Sequence, residues 1–294
     1  MRRRCSIQSA DRRSKGKGQT TPPILECSVR SCHLGLARRD RVWICPAGHS
    51  YDIARSGYVN LLQPQDRRSR VAGDSKAAIE ARAVLLSAGV GRTLIDALAT
   101  RAAAIDLGRS PVIVDLGCGS GEGLAAITRQ RPGTGLGIDL STTAADRAAR
   151  QFPHLTWIVA NADRRLPLLD TSVDLVVSIH GRRNPGEAAR VLAPGRCVLI
   201  AVPAADDLIE LRELVQGQRI EHDRSGAVLA EHQSLFEAID RSAIRESVDL
   251  DRVALLHLLQ GTYRGARLAA ADRIASLTRL RVTLASDVFV LRLR

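Results

Sequence analysis

The sequence predicts an α/β protein built on a doubly wound, mostly parallel sheet of seven strands, with a small cysteine-rich module in front of it. Three observations predict this class. From residue 111 onwards, short apolar runs alternate with helical patterns. The first of these runs ends in a glycine-rich turn, and a Cys/His cluster precedes them all. Such alternation is typical of parallel strands with helices on both faces and a ligand at the carboxyl ends of the strands.

The composition limits the class of protein. The chain has 294 residues, of which 45% are apolar, so it can bury an ordinary core. No apolar run approaches the roughly 18 residues of a membrane span, and the first residues lack the apolar middle of a signal peptide. We therefore expect a cytoplasmic protein without a membrane partner, whose six cysteines are reduced thiols or metal ligands.

The positive charge is concentrated at the N-terminus. The net charge is +12, and residues 1–73 hold 15 basic against 5 acidic residues, whereas the other 221 hold 28 against 26. A basic module attached to a nearly neutral body is typical of a polyanion-binding appendage. Compositional drift towards arginine is the alternative, but it does not explain the asymmetry. We predict a disordered basic tail at 1–23, a binding module with a basic linker at 24–73, and a catalytic domain at 74–294.

The N-terminal cluster has metal-ligand spacing. Cys27 and Cys32 are followed, after a loop of twelve residues, by Cys45 and His49. Two such pairs can surround a tetrahedral zinc ion, and a segment this short needs a metal for stability. The alternative is a set of ordinary buried thiols. Cys27 is the least certain ligand, because its spacing is unusual, and His33 could replace it.

The glycine-rich turn has the chemistry of a cofactor loop. Asp115 closes the apolar run, Gly117, Gly119 and Gly121 form a tight turn, and Glu122 begins a helical pattern. Alternating glycines let a ligand approach the backbone closely. A pyrophosphate would gain nothing from the carboxylate that precedes them, whereas a cationic sulfonium cofactor with an amino-acid tail would. We therefore predict binding of S-adenosylmethionine (SAM).

Polar residues at the ends of the next two strands support this prediction. Asp139 ends the strand predicted at 135–139, where a carboxylate can accept both ribose hydroxyls of an adenosine. Asn161 follows the strand predicted at 155–159 and would meet the adenine, with Asp163 as the alternative. Three successive strand ends would then hold one cofactor.

The rest of the chain supplies further elements. Additional strands are predicted at 111–116, 173–179 and 197–202. The segment 279–293 is predicted to form a closing pair of strands with a turn at 285–287, and the polar stretch 218–249 an insertion over the active-site mouth. Helices are predicted at 75–88, 92–105, 122–131, 141–151, 206–217 and 250–259.

The loop after the fourth predicted strand is the candidate catalytic segment. His180 could accept a proton from the substrate, although a structural role at the strand end is the alternative. Arg182 or Arg183 could stabilise an oxyanion or hold a phosphate. The sequence thus gives His180 and Arg182 as candidate catalytic residues.

A longer pattern carries a family resemblance. After Cys32 it comprises Cys45-Pro46, His49, the stretch from Tyr51 to Leu62 with its GYVNLL end, the basic residues Arg67, Arg68 and Arg70, and Gly73-Asp74-Ser75. This pattern resembles the bacterial 23S rRNA (guanine-N1)-methyltransferase family, and the resemblance covers most of residues 27–215.

The resemblance implies a class I SAM-dependent methyltransferase fold and methylation of a guanine N1 in a hairpin loop of 23S rRNA. The zinc module and the basic patch would hold the RNA, relatives suggest a homodimer, and one branch of the family confers resistance to macrolides such as tylosin.

The chain also departs from its relatives. The run 89–92 lacks an aromatic residue that they carry, and Asp206 and Asp207 replace a histidine found in some of them. Two other functions therefore stay open at this point, namely a small-molecule methyltransferase that keeps the zinc module for packing, and a noncatalytic RNA-binding homologue.

Overall fold

The structure is a computed structural model that describes residues 24–67, 74–219, 221, 223–262 and 273–294. The predicted basic tail at 1–23 lies outside the described residues, and so do the side chains of the predicted patch Arg67, Arg68 and Arg70.

The N-terminal module is a small antiparallel sheet that reaches into the body of the protein. Its three strands are β1 (Ala37–Arg39), β2 (Val42–Ile44) and β3 (Ser50–Asp52), in that order. The next strand, β4 (Val59–Asn60), leaves this sheet and pairs in parallel with an edge strand of the large sheet. The GYVNLL stretch therefore docks the module on the body.

The body alternates strands and helices. Its elements are α1 (Lys76–Ser87), α2 (Arg92–Ala104), β5 (Val112–Leu116), α3 (Glu122–Gln130), β6 (Thr134–Asp139), α4 (Thr142–Gln151), β7 (Thr156–Val159), β8 (Val173–Ile179), α5 (Pro185–Val191), β9 (Leu192–Pro203), α6 (Ile209–Gln216), α7 (Ser225–His232), β10 (Phe236–Asp251), α8 (Arg252–Thr262) and β11 (Arg279–Leu293). Side-chain caps define several helix starts, since Ser75, Ser141 and Asn184 each accept a hydrogen bond from a backbone N–H in the first turn.

The large sheet has the order β10-β11-β9-β8-β5-β6-β7-β4. The strands from β9 to β4 run parallel, and β11 pairs antiparallel with both β9 and β10. The body thus contributes seven strands, which is the predicted number, and β4 of the N-terminal module adds an eighth. The carboxyl ends of β5, β6, β7, β8 and β9 share one edge, where the candidate site lies.

Two predictions for the C-terminal part were wrong. Residues 279–293 form one continuous strand, not a pair with a turn at 285–287. Ala285, Ser286 and Asp287 sit in the middle of β11, where the ladder to β10 runs through all three, and they are buried. Pairing of β11 with β10 therefore outweighs the tendency of the Ser286-Asp287 sequence to form a turn. Residues 236–249 of the predicted insertion 218–249 belong instead to the edge strand β10.

Other boundaries differ by a few residues. β9 begins at Leu192 rather than at residue 197, and the short helix α5 was not predicted. A seven-residue helix leaves little hydrophobic periodicity in the sequence, so only its Asn184 cap and the proline after it mark it.

The N-terminal module shares a core with the body. Leu25, Leu36 and the thiols of Cys27 and Cys45 belong to the same buried cluster as the side chains on one face of the large sheet. Leu25 also forms an antiparallel bridge with Leu168. The other face packs around Trp157, which is fully buried.

Among the described residues, no single helix is both long and apolar enough to cross a membrane. α1 and α2 meet that criterion only when taken together as a pair bent by 81°.

Candidate active site and metal centre

The glycine-rich turn connects β5 to α3. Gly117, Gly119 and Gly121 all have positive φ, at 75°, 54° and 91°. At Gly121 a Cβ would lie 2.4 Å from the ring of Trp157, so no larger residue fits there without moving a buried tryptophan. At Gly117 a Cβ would lie 3.2 Å from the Cα of Gly181, because the loop after β8 packs directly on the turn.

Asp115 lies beneath the turn with an unsatisfied oxygen. The residue is 2% exposed, and its Oδ1 has no hydrogen-bond partner among the described residues. Burial raises the pKa of Asp115 to about 7, and the negative charge of Asp139 adds to the effect. Since Asp115 also lines a cavity of about 310 Å³, it suits a ligand that brings a positive charge, such as the ammonium group of SAM.

Asp139 ties the end of β6 to the same turn. Its Oδ2 accepts a hydrogen bond from the N–H of Gly119 at 2.9 Å, and its Oδ1 accepts one from the N–H of Ser141 at 2.8 Å. Burial raises the pKa of Asp139, and these two backbone donors oppose the shift. Each oxygen keeps a second lone pair, so the carboxylate can still accept the two hydroxyls of a ribose.

Asn161 lies at the end of the next strand, β7. It is 5% exposed, and its Oδ1 accepts a hydrogen bond from the N–H of Asp163 at 3.0 Å. Asp163 is turned towards Arg182, with 3.6 Å between the charged groups. Asp139 and Asn161 stand at the carboxyl ends of the adjacent strands β6 and β7, and neither lines the cavity.

The cavity lies on the β8 side of the turn. Predicted site residues that line it are Asp115, Gly117, Gly119, Glu122 and His180. The remaining walls come from α1, α2, α8, the loop after β9 and the far strands. Their polar residues include Asp207, Glu246, Ser286 and Arg82, which the sequence analysis did not assign to the site. Asp207 could have been found, since it follows a parallel strand, whereas Glu246 and Ser286 lie on strands that the sequence did not predict correctly.

His180 and Arg182 differ in their surroundings. His180 has a left-handed backbone, with φ of 51°, and its Nε2 lies 2.8 Å from the Ser286 hydroxyl oxygen. Burial lowers the pKa of His180 to about 4, assisted by the positive charges of Arg224 and Arg82, so the ring is neutral at pH 7. Arg182 is exposed, pairs with Asp163 and does not line the cavity.

The predicted metal ligands converge in the N-terminal module. The ligand atoms of Cys27, Cys32, Cys45 and His49 all lie within 4.8 Å of one another. The Sγ atoms of Cys32 and Cys45 are 3.8 Å apart, and Nδ1 of His49 is 3.5 Å from both Cys27 and Cys45 Sγ. A tetrahedral zinc ion with ordinary bond lengths needs separations of about 3.8 Å and about 3.6 Å. The donor set and its spacing therefore fit zinc.

The surroundings of the cluster support the same ligand set. His33, the alternative ligand, turns away to pair with Glu26 at 2.7 Å. The Tyr51 hydroxyl lies 3.1 Å from Cys27 Sγ, so it can donate a hydrogen bond to a metal-bound thiolate. Although burial acts to raise the pKa of Cys45, hydrogen bonds from the backbone of His49 and Ala47 lower it to about 7, which favours the thiolate.

The two parts of the chain match two known families of domain. The family described as RlmA, N-terminal, a zinc ribbon, matches residues 26–70, and the family described as Methyltransferase domain matches residues 113–195. A solved structure of a candidate methyltransferase from Bacillus halodurans superposes with a TM-score of 0.50 at 13% identity, covering 66% of this chain and 97% of that one. The fold of the body is therefore that of class I methyltransferases.

Curated relatives extend over both parts. The 23S rRNA (guanine(748)-N(1))-methyltransferase of Streptomyces fradiae is 34% identical over 76% of this chain and 80% of its own. A candidate 23S rRNA (guanine-N(1)-)-methyltransferase of Micromonospora griseorubida is 36% identical over 81% of this chain and 85% of its own. A candidate protein of the same description in Bacillus subtilis is 31% identical over 91% and 96%. The chain therefore belongs to the 23S rRNA (guanine-N1)-methyltransferase family, and it is a SAM-dependent enzyme that carries a zinc ribbon.

Proposed function

We propose that this enzyme methylates N1 of a guanine in a hairpin loop of 23S rRNA. The observation that carries the proposal is that relatives with this activity in their description align with 76–91% of a chain that carries both a zinc ribbon and a methyltransferase domain. A shared domain pair matters more than the shared fold, because the fold serves many substrates.

The geometry at the carboxyl edge supports a separate role for each predicted residue in SAM binding. Asp115 would hold the ammonium group, Gly117, Gly119 and Gly121 would bring the backbone of the turn against the methionine part, and Glu122 stands at the start of α3. Asp139 would accept the ribose hydroxyls, and Asn161 would meet the adenine. Bound SAM supplies an electrophilic methyl group at the cavity.

The zinc ribbon is the proposed RNA-holding module, with residues 24–73 forming that module and 74–294 the catalytic domain. Zinc would fix its loops through Cys27, Cys32, Cys45 and His49. Its β1–β2 hairpin presents Arg38, Arg39 and Arg41, all exposed. None of these arginines forms an ion pair with a described residue, and Arg41 donates to the carbonyl oxygens of Ile53 and Ala54. Arg38 and Arg39 would therefore bind phosphates, together with the predicted patch at 67–70.

The loop after β8 is proposed to meet the target nucleotide. His180 lines the cavity and would contact the acceptor base as a neutral imidazole. Arg182 is exposed beyond the cavity, beside Asp163, and would hold a phosphate of the nucleotide that enters. A flipped guanine could then present its Watson–Crick edge to the cavity.

Methyl transfer to RNA tests the proposal. Purified enzyme with radiolabelled SAM should methylate a naked 23S rRNA fragment that contains the hairpin, and mass mapping should place the methyl on guanine N1. Activity should fall steeply with salt, because phosphate contacts release counterions. Asp115→Ala is the matched control and should lose SAM binding.

The opposite results have clear meanings. Failure to methylate any 23S rRNA fragment, with SAM binding intact, contradicts the proposal. Methylation of small acceptors alone would indicate a small-molecule enzyme, and RNA binding without transfer a noncatalytic homologue.

Three further expectations belong to this proposal. The enzyme would act in the cytoplasm, where its substrate is, and would form a homodimer, which sedimentation equilibrium measures directly. A deletion strain would lack the methyl group on 23S rRNA, and comparing its growth on tylosin with that of the parent tests a role in antibiotic resistance.

A further inference from the structure

The cavity has a second half, beyond the part that the glycine-rich turn lines. In the sheet order, β6 and β7 lie on one side of β5, whereas β8, β9, β11 and β10 lie on the other. Asp139 and Asn161 assign the adenosine to the first side. The reactive methyl group would therefore point towards the second side, where the cavity is lined by His180, Asp207, Glu246 and Ser286.

Asp207 is held in this second half by one of its oxygens only. It follows β9, and its Oδ1 accepts a hydrogen bond from the N–H of Ala285, on β11, at 2.9 Å. This is the only hydrogen bond of its side chain among the described residues, and it leaves Oδ2 free to meet a ligand. The carboxyl group is thus fixed in position and still has an acceptor to offer.

His180, which lines the same half, is less suited than Asp207 to take a proton. His180 is neutral at pH 7 and its Nε2 is already engaged with Ser286. Because the pKa of His180 is lowered to about 4, the ring is a weak base. Burial raises the pKa of Asp207 to about 6, against the N–H of Ala285 that lowers it, so Asp207 is ionised at pH 7 and is the stronger base.

We propose that Asp207 accepts the N1 proton of the target guanine during methyl transfer, an inference that rests on the proposed guanine-N1 methylation. The N1–H bond breaks as its proton moves to Oδ2 of Asp207. The N1 lone pair forms a bond to the methyl carbon, and the bond between that carbon and sulfur breaks with its electrons staying on sulfur. Asp207 then releases the proton to water.

The same contact selects guanine. The Watson–Crick edge of guanine presents N1–H and the N2 amino group side by side as donors, which a carboxylate can accept. Adenine presents an acceptor at N1, and its lone pair would face the negative charge of Asp207. A site built to accept a hydrogen bond rejects a base that lacks the donor strongly.

Charged groups on the neighbouring elements set the charge state of Asp207. Opposite charges come from Arg212 on α6 and Arg224 at the start of α7, and a like charge comes from Asp206. Across the cavity stand His180, Glu246, Asp115 and the ion pair of Arg82 with Asp74. Glu246 is therefore the competing carboxylate that a test must separate from Asp207.

Single-turnover methylation of a 23S rRNA hairpin fragment tests the inference. Asp207→Asn keeps the shape and the acceptor for Ala285 but removes the base, so the rate should fall roughly 100-fold or more. At saturating SAM, the wild-type rate should fall tenfold for each pH unit below about pH 6, as Asp207 becomes protonated. This acidic limb of the pH–rate profile should be absent from the variant.

Two controls accompany this variant. Asp249→Asn is the matched control, because Asp249 is exposed, pairs with Arg281 at 2.9 Å and does not line the cavity. Its rate and pH limb should equal those of the wild type. Calorimetry should show unchanged SAM affinity for Asp207→Asn, which separates a chemical effect from misfolding.

Several results would overturn the inference. They are an Asp207→Asn variant with the wild-type rate, a slowed variant that keeps the same pH limb, and loss of the limb in Glu246→Gln instead. A wild-type enzyme that binds SAM but methylates no RNA would contradict the proposed function first and this inference with it.

Discussion

The buried carboxyl group of Asp115 should cost the ligand-free protein stability. Its pKa is raised from 3.8 to about 7, and each unit corresponds to about 1.4 kcal/mol. The side chain is 2% exposed, so solvent screens it little. Burying the ionised form therefore costs about 4 kcal/mol above pH 7, as an order of magnitude.

The substitution Asp115→Asn removes this charge and keeps the shape. Its amide gains no partner in the apo protein, which costs about 1–3 kcal/mol, so the variant should be more stable than the wild type by about 1–3 kcal/mol at pH 8. The same change removes the proposed partner of the ammonium group of SAM. Losing a charge-assisted hydrogen bond of about 1.5–3 kcal/mol should weaken SAM binding about 10- to 150-fold.

The raised pKa of Asp115 also fixes the direction in which stability changes with pH. Since the pKa in the folded state is raised, the folded protein binds the extra proton between about pH 4 and pH 7, and its stability falls as pH rises through that window. The stability difference between Asp115→Asn and the wild type should therefore be about 2–3 kcal/mol larger at pH 8 than at pH 5.

Urea unfolding at several pH values, with calorimetric titration of SAM, measures both effects. Asp146→Asn is the control, since Asp146 is only partly buried and a hydrogen bond from Arg150 lowers its pKa, which gives a slope of the opposite sign. A stability difference that stays constant from pH 5 to pH 8, or unchanged SAM affinity, would refute this account of Asp115.

Three more predictions concern the turn, the metal centre and the domain contact. Gly121→Ala should lower the free energy of unfolding by about 2–5 kcal/mol in urea, because it combines a left-handed backbone with a clash against Trp157. Gly119→Ala should lower it by only about 1–2 kcal/mol, since its Cβ would meet nothing within 4 Å. Freshly purified protein should contain one zinc ion per chain by elemental analysis, and Cys45→Ser should lose it. Glu26→Gln should increase protease cleavage between the zinc ribbon and the body, because it removes a 3% exposed carboxylate at the contact between them.

Each of these predictions has its own control or contradictory result. Equal destabilisation by the two glycine substitutions would show that the Trp157 contact is unimportant. Cys197→Ser should keep zinc, since Cys197 lies on β9 in the body. On the body, Glu26 is bound by Arg165, which donates to both of its oxygens at 2.8 and 2.9 Å. If Arg165→Gln is cleaved no faster than the wild type, this ion pair does not hold the module.

Local patterns were sufficient for the features that depend on neighbouring residues. The β5 strand with its glycine turn, the strand-end residues Asp139 and Asn161, and the Cys/His spacing all lie within short segments. Their chemistry follows from residue type and spacing. The family resemblance added a prediction of the methyl acceptor, a guanine of 23S rRNA, because the family pattern spans both the metal centre and the GYVNLL strand.

Long-range pairing decided what the sequence alone could not. Whether residues 285–287 turn or continue depends on β10 and β9 pairing on both sides of them, and those partners are distant in the chain. For the same reason, the sequence could name His180 and Arg182 on one loop but could not separate them. The fold turns His180 into the cavity beside Asp207 and Ser286 and leaves Arg182 outside, since burial and neighbouring charges arise only when distant strands meet.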